Sequence, residues 1–424
     1  MPYALKEAGF YGGMLLIIVI AYCSDYTIRM LVSLAVRAKR KYYEDLCASQ
    51  FGHKGYVFVV GAMGIFAYGA MVAYLMGIGD NMSIVVSTWS GTDLRANPWV
   101  KRVTLVSIAI GAVLPLALLK NMSALSKTSF LSLCAVIFII CVVIKNAVYG
   151  AGDAKIPVTP EEKALLFIDS NFFPAVGVIS FAFVCHHATF IVYNTLRDNT
   201  EQRWNLTVHL TLGVAATVML ILAATAFWTF RGLTKGSFLT NYSYTDPLCN
   251  LMRCLFALTQ TLTYPIELFV ARHATHALMF PSQKWTNQQH YLITLLLWGS
   301  SLAIALNVAD LGAVLELTGG VAAVSIGFIV PSLLHFKMHP TLDFRCWRNK
   351  PEKRFAACYE FALSYFVIIL GFLAMFFTIV TMGGHLMHSG AEPHDAFDPT
   401  VENTDHGGSV EIKGHWGFGR RLTW

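Results

Sequence analysis

Charged side chains inside long apolar stretches are the residues of this sequence best placed to do chemistry, because a charge in hydrocarbon costs about 3 kcal/mol or more. Asp25 and Arg29 are four residues apart, so on a helix they share a face and neutralise each other, as a structural pair or as part of a gate. Asp80 lies near the end of its stretch, within reach of water. Three carboxylates lie deeper: Glu267, Glu316 and Glu360. For each of them the sequence predicts either an interhelical hydrogen bond or a part in a proton or cation route.

Three apolar stretches also contain residues that can interrupt a helix. They are Pro174 with Gly177 and Ser180, Thr263 with Tyr264 and Pro265, and Thr318 with Gly319 and Gly320. A proline removes a backbone donor and frees the carbonyl one turn earlier. Broken membrane helices can bind substrates and ions at such positions, although most prolines in membrane helices mark only a packing kink. Each interruption therefore predicts either a binding site or a kink.

Two pairs of histidines complete the reactive side chains: His186 with His187, and His273 with His276. A membrane metal centre needs several histidine clusters at helical spacing to fill its coordination shell. Two pairs are too few, so the sequence argues against a membrane metalloenzyme and against any resident cofactor. His186 and His187 are better explained by hydrogen bonding between helices or by gating.

The elements that position these residues must span a membrane. Of 424 residues, 55% are hydrophobic and 13% are charged, whereas soluble domains carry about 25% charge. Ten apolar stretches are long enough to cross roughly 30 Å of hydrocarbon, and none shows the alternation of a membrane barrel. They are Phe10–Val36, Gly55–Val86, Val103–Leu119, Thr128–Ile144, Ser170–Leu196, Asn205–Phe230, Cys254–Ala271, Tyr291–Ala309, Leu311–Leu334 and Phe355–Gly384. The prediction is an all-α integral membrane domain over residues 1–384, followed by a polar, disordered tail over 385–424.

The basic residues predict the orientation of the chain. They cluster in residues 37–54 and 337–354. If successive spans cross the membrane in alternating directions, these two loops lie on the same side, and the positive-inside bias makes that side cytoplasmic. The net charge of +6 therefore reflects the orientation of the chain in the membrane. The sequence shows no stripe of basic residues interleaved with aromatic ones, as a nucleic-acid binder would have. The sequon at Asn241 falls in an outer loop and is predicted to be glycosylated, whereas those at Asn121 and Asn205 fall on the cytoplasmic side.

The same orientation places Met1 outside, although no signal peptide precedes it. The opening residues, MPYALKEAGF, are too few to span the bilayer. The sequence therefore predicts that residues before Met1 are missing and that this segment is the end of a further helix. The alternative is a natural start with an inverted or unstable topology.

Four strings carry a resemblance to a known family: MPYALKEAGF, AVGVISFAFVCHH followed by IVYNTL, LTYPIELFVAR, and LGAVLELTGG. They resemble the amino acid and auxin permease superfamily, and in particular its sodium-coupled neutral amino acid transporters, in order from Met1 to about Gly384. The resemblance implies an inverted-repeat bundle like that of the bacterial leucine transporters, in which the ten stretches are helices two to eleven. MPYALKEAG matches only the end of helix one, so the resemblance also implies that Met1–Trp424 is inactive without the rest of that helix.

The resemblance implies which residues form the site. Gly177, Ser180 and Phe181 match the interrupted sixth helix that lines substrate in this fold, and His186, one turn further, would face the same cavity. Thr263 matches the eighth-helix threonine of the family's sodium site.

The function implied by the resemblance is secondary active transport of neutral amino acids such as glutamine or alanine, coupled to sodium or to protons, by alternating access. The protein would reside in the plasma membrane or an endolysosomal membrane. Two alternatives stay open: an amino-acid-sensing receptor that binds without transporting, and a truncated, transport-inactive member of the family.

Overall fold

A computed structural model describes residues 1–92, 94, 97–120, 128–149, 172–281, 285–339 and 351–388, with the backbone alone at 128–129, 351–357 and 384–388. The α-helices, in chain order, are α1 (Pro2–Ala8), α2 (Phe10–Ala38), α3 (Tyr43–Ser90), α4 (Trp99–Ile108), α5 (Leu114–Ala117), α6 (Thr128–Tyr149), α7 (Phe172–Phe183), α8 (His186–Thr195), α9 (Glu201–Phe230), α10 (Pro247–Met279), α11 (Asn287–Asn307), α12 (Leu311–Leu317), α13 (Val330–Met338) and α14 (Pro351–His388). Three π-helical segments, Ala109–Val113, Thr318–Ala323 and Ser325–Ile329, join α4 to α5 and α12 to α13. The regular structure of the described residues is helical throughout.

Ten helical segments of the described chain are long and apolar enough to cross a membrane. Each overlaps one predicted stretch, so the prediction of an all-α membrane bundle with ten spans is confirmed. The largest difference in bounds is in α3, which begins at Tyr43 and not at Gly55. The extra residues include Glu44, Asp45 and Gln50, whose polarity hides this part of the helix from a hydropathy criterion.

The extension of α3 is a separate segment that bends away at Gly52. This glycine has φ 67° and ψ −159° inside an otherwise helical run, a conformation that residues with a Cβ rarely adopt. Tyr43 is buried, and its hydroxyl donates to the carbonyl of Ile326 at 2.7 Å. The segment before Gly52 is thus anchored on the Ser325–Ile329 π-helical segment.

The broken and irregular spans occupy the centre of the bundle. In the most apolar part of each span, 72% of the residues are buried for Phe10–Ala38 and for Leu311–Met338, but only 22% for Glu201–Leu233. The short helix α1 packs among α2, α7 and α9, with Leu5 fully buried against Gly13. The less buried spans present their apolar side chains outward, as a bilayer requires.

Contacts between span ends agree with the predicted alternation of sides. Arg37 and His339, both assigned to the cytoplasmic side, lie 3.1 Å apart. Asp80 and Lys101, both assigned to the outer side, form an ion pair at 2.6 Å. Asp80 is thus neutralised by a basic partner from the next span, while its depth in the membrane stays a prediction from the sequence.

Candidate functional site

The span that holds the predicted substrate residues is interrupted between α7 and α8. Val184 and Cys185 are not helical, and Cys185 has φ −119° and ψ 20°. The predicted interruption around Pro174 is wrong, because α7 runs without a break from Phe172 to Phe183. Pro174 lies in the first turn of α7, where backbone N–H groups have no helical partner and a proline removes no bond.

The other two predicted interruptions have different outcomes. The span Leu311–Met338 does leave α geometry at Thr318, where the first of its two π-helical segments begins. By contrast, α10 continues through Pro265. Because Pro265 has no N–H, the carbonyl of Thr261 loses its helical partner although the helix does not break. Of the two, the π-helical turn is the stronger sign of a site, since such turns are frequent at functional positions.

Gly177 allows α7 to meet the Thr318–Ala323 segment backbone against backbone. A Cβ at Gly177 would lie 2.9 Å from the carbonyl oxygen of Glu316 and from the nitrogen of Gly320. Gly319 in turn packs on the carbonyl of Gly177. The structure thus gives Gly177 a packing role at this crossing.

Polar atoms without partners gather on either side of the break. Within the described residues, three buried side-chain atoms here have no hydrogen-bond partner: Ser180 Oγ, His186 Nδ1 and His187 Nδ1. An unsatisfied buried polar atom costs about 1–3 kcal/mol, and most such atoms are satisfied in folded proteins. This group of atoms is therefore suited to bind a polar ligand.

His186 is fully buried and joins the break to α2. Its Nε2 lies 2.9 Å from the hydroxyl of Thr27, and that hydroxyl also lies 2.8 Å from the carbonyl of Cys23. Because the hydroxyl has one proton, donation to Cys23 makes it an acceptor for an Nε2–H. This bonding assigns the ring proton to Nε2 and leaves Nδ1, beside Gly327, as a free acceptor.

His187 faces the opposite direction and pairs with Glu267 of α10. His187 Nε2 and Glu267 Oε2 are 3.5 Å apart, and the two side chains are only 5% and 9% exposed. The ring of Phe66 covers this pair at 4.9 Å from the His187 ring and also lies 5.5 Å from the ring of Phe181. The sequence singled out His187 and Glu267 separately, but nothing in it showed that they meet. The available signal was that a titratable group inside a membrane span needs a partner.

Thr263 lies on the same helix as Glu267, one turn earlier. Positions four apart share a helical face, so Thr263 is on the face of α10 that carries the His187 partner. Its hydroxyl donates to the carbonyl of Thr259 at 2.7 Å, which leaves the oxygen lone pairs available. In the described chain, no group of three or more His, Cys, Asp or Glu side chains is arranged so that it could hold a metal ion.

The remaining intramembrane charges are accounted for individually. Asp25 and Arg29 form the predicted ion pair at 2.7 Å, and Asp25 also meets His209 at 2.8 Å. Glu360 is exposed and lines a pocket together with Arg29, Arg37 and Glu201 at the predicted cytoplasmic end of the bundle.

Glu316 lies where α12 meets α1. Its Oε1 is buried and has no hydrogen-bond partner among the described residues. Tyr3 of α1 packs against Gly312 and interacts electrostatically with Glu7, Asp310 and Glu316. This acidic group is thus held next to the crossing at Gly177.

A helical protein of many spans, with buried polar atoms collected at a broken central helix, has the architecture of a membrane transport protein. Residues 1–383 match the family described as transmembrane amino acid transporter protein, and the chain belongs to that family. It is a family of transporters, not enzymes, and the resemblance seen in the sequence is confirmed.

Individual relatives cover most of the chain. It is 30% identical to the putative sodium-coupled neutral amino acid transporter 11 of Mus musculus, over 88% of this chain and 80% of the relative. The human protein of the same name is 30% identical over 79% of this chain and 81% of its own. The vacuolar amino acid transporter 2 of Saccharomyces cerevisiae is 27% identical over 85% of this chain and 77% of its own length. The protein is a multi-pass membrane protein, and these relatives are compatible with a plasma-membrane or an endolysosomal location.

Proposed function

We propose that this protein is a secondary active transporter of neutral amino acids such as glutamine or alanine, driven by a sodium gradient and operating by alternating access. Its family supports amino acid transport, and the names of several relatives support a neutral substrate and sodium coupling. The observation that carries the proposal is the group of unpartnered buried atoms at the break between α7 and α8.

The chemistry of the break suits the two ends of an amino acid. His186 Nδ1, a free acceptor, can receive a hydrogen bond from the α-ammonium group. The carboxylate can bind the N–H groups at the start of α8, which have no helical partner and lie at the positive end of the helix dipole. The Ser180 hydroxyl can donate a further bond. These three groups would fix the orientation of the substrate.

The side chains around the break between α7 and α8 favour a substrate whose own side chain is neutral. Phe66 and Phe181 supply an apolar, aromatic wall. The nearby carboxylate of Glu267 is already opposite His187. A charged side chain would find no free opposite charge there and would have to be desolvated without compensation.

Thr263 is the proposed sodium ligand. Na⁺ is a hard cation and prefers neutral or anionic oxygen, which the Thr263 hydroxyl can supply. A second candidate for the coupling ion is the proton, because His187 and Glu267 form a buried titratable pair beside the break.

The test is uptake of radiolabelled glutamine and alanine into proteoliposomes that contain the full chain. An active transporter accumulates both amino acids when an inward sodium gradient is imposed and neither when choline replaces sodium, whereas the truncated, transport-inactive alternative predicts no accumulation under either condition. Accumulation with a pH gradient in choline would assign coupling to protons. Saturable glutamine binding without accumulation under either gradient would contradict transport and favour a receptor.

A further inference from the structure

A pocket of about 230 Å³ lies at the predicted cytoplasmic ends of α10 and α11 and shares no residue with the broken helix. Four of its lining side chains are basic or imidazole groups: Lys120, Arg272, His273 and His290. None of the lining residues is acidic. This composition is typical of a site for an anion.

Arg272 is a buried cation in this pocket, only 5% exposed. One guanidinium nitrogen, Nη1, donates to the Thr294 hydroxyl at 3.1 Å and lies 3.4 Å from His290 Nε2. Both partners are uncharged in this arrangement, and Arg272 forms no ion pair in the part of the chain that the structure describes. A buried charge without an opposite charge is strongly destabilising, so an anionic partner is expected.

The described part of the chain offers little negative charge at this position. The described residues of the two connections beside the pocket, 118–120, 280–281 and 285–291, include Lys120 but no Asp or Glu. The nearby carboxylate of Glu44 interacts electrostatically with His273, and none of the described carboxylates forms an ion pair with Arg272. Arg272 and Lys120 therefore remain available to an anion from outside the chain.

The position of the pocket relates it to the membrane surface. Trp285 lines it and is partly exposed, and Lys120 lies over the ring of Tyr291 at 5.4 Å while donating to Asn287 Oδ1 at 3.0 Å. Trp and Tyr are enriched at the level of lipid headgroups. Helix α11 also begins here, behind its Thr286 capping box, so the positive end of its dipole adds to the basic side chains.

We propose that this pocket binds the phosphate group of an anionic phospholipid from the cytoplasmic leaflet. Basic pockets between transmembrane helices on this side are suited to such headgroups. The Arg272 guanidinium would donate paired N–H bonds to phosphate oxygens, and the Lys120 ammonium would act as a point charge. In phosphatidylcholine the choline cation neutralises the same phosphate, so that lipid should bind weakly.

The experiment measures lipid binding to the purified full chain by native mass spectrometry, without amino acid present. The probes are phosphatidylinositol 4-phosphate, phosphatidylcholine and inorganic phosphate. We expect phosphatidylinositol 4-phosphate to bind more tightly than either of the others. Equal binding of the two lipids, or equally tight binding of inorganic phosphate, would overturn the proposal.

Variants locate the binding. Lys120→Gln should weaken phosphatidylinositol 4-phosphate binding about fivefold, the effect of one basic residue near a membrane surface. Lys41→Gln, an exposed cytoplasmic lysine outside the pocket, is the matched control and should change nothing. Arg272→Gln should weaken binding about tenfold or more, as expected for lost hydrogen bonds to a charged group. Equal effects of Lys120→Gln and Lys41→Gln would overturn the assignment even if Arg272→Gln does not fold.

Discussion

At the scale of single residues, the His187–Glu267 pair shows how two unremarkable positions become a site. Each side chain lies in a different span, and each would be costly in hydrocarbon if it were alone. The fold brings their atoms to 3.5 Å and covers them with Phe66. The contributions of the two side chains to the free energy of unfolding are therefore coupled.

We expect His187→Ala and Glu267→Ala each to destabilise the folded protein by about 3 kcal/mol, because each leaves its partner buried and uncompensated. The double variant should lose less stability than the sum of the two single losses, with a coupling free energy of about 0.5–3 kcal/mol between the two side chains. Thermal unfolding of the four purified proteins in one detergent measures this. Strictly additive losses would show that the two side chains do not interact.

Thr263 provides a prediction about ion coupling. Thr263→Ala removes the hydroxyl oxygen proposed to bind Na⁺, whereas Thr263→Ser retains it. Both replacements leave the turn around Pro265 in place. In proteoliposomes the alanine variant should lose sodium-dependent uptake and the serine variant should keep most of it, at equal amounts of inserted protein. An identical sodium dependence for wild type and both variants would exclude Thr263 as a ligand.

At the scale of elements, the crossing of α7 with the Thr318–Ala323 segment is set by glycine. We expect Gly177→Ala to destabilise the protein by about 1–3 kcal/mol, because the new methyl group would overlap the backbone of Glu316 and Gly320. Gly213→Ala in α9 is the matched control, since a Cβ there meets no atom within 4 Å. Thermal unfolding of both variants tests this, and an equal stability of the two would contradict the crossing.

The sequence predicts elements better than it predicts the joints within them. Hydropathy is a sum over many residues, so all ten spans were found. The break at Cys185 has no proline or glycine to mark it, while Pro174 and Pro265 lie where a helix tolerates them. Likewise, the contact of His186 with Thr27 depends on packing between distant segments. Such contacts follow from the tertiary structure and leave no local pattern.

At the scale of the whole molecule, the orientation in the membrane follows from the distribution of charge. Asn241 lies in the 3₁₀ helix Phe238–Asn241, on the side assigned as outer. Its amide donates to the carbonyl of Leu233 at 2.8 Å, and the carbonyls of Leu239 and Tyr242 accept from the buried Arg253. A glycan on Asn241 would replace one hydrogen bond, a loss of about 1 kcal/mol.

We expect glycosidase digestion to increase the gel mobility of the wild-type protein, and Asn241→Gln to abolish that shift. Asn205→Gln should leave it unchanged, because Asn205 lies in α9 on the cytoplasmic side. Asn121, also assigned to that side, lies outside the described residues. Asn81 starts a further sequon, Asn81–Ser83, but is fully buried in α3. A shift that survives Asn241→Gln and disappears with Asn205→Gln would invert the orientation.

The two π-helical segments, Thr318–Ala323 and Ser325–Ile329, locate where this span can vary in length. In a π-helix each N–H bonds a carbonyl five residues back instead of four, so each segment holds an extra residue in its turn. Because the wider turn absorbs that residue, deleting one residue there would restore α geometry while the residues on either side keep nearly the same faces. In a regular α-helix the same deletion would rotate all following residues by about 100°. Relatives that keep the contacts of Gly320 with Gly177 and Thr378 should therefore tolerate a single-residue deletion within these segments and not elsewhere in the span.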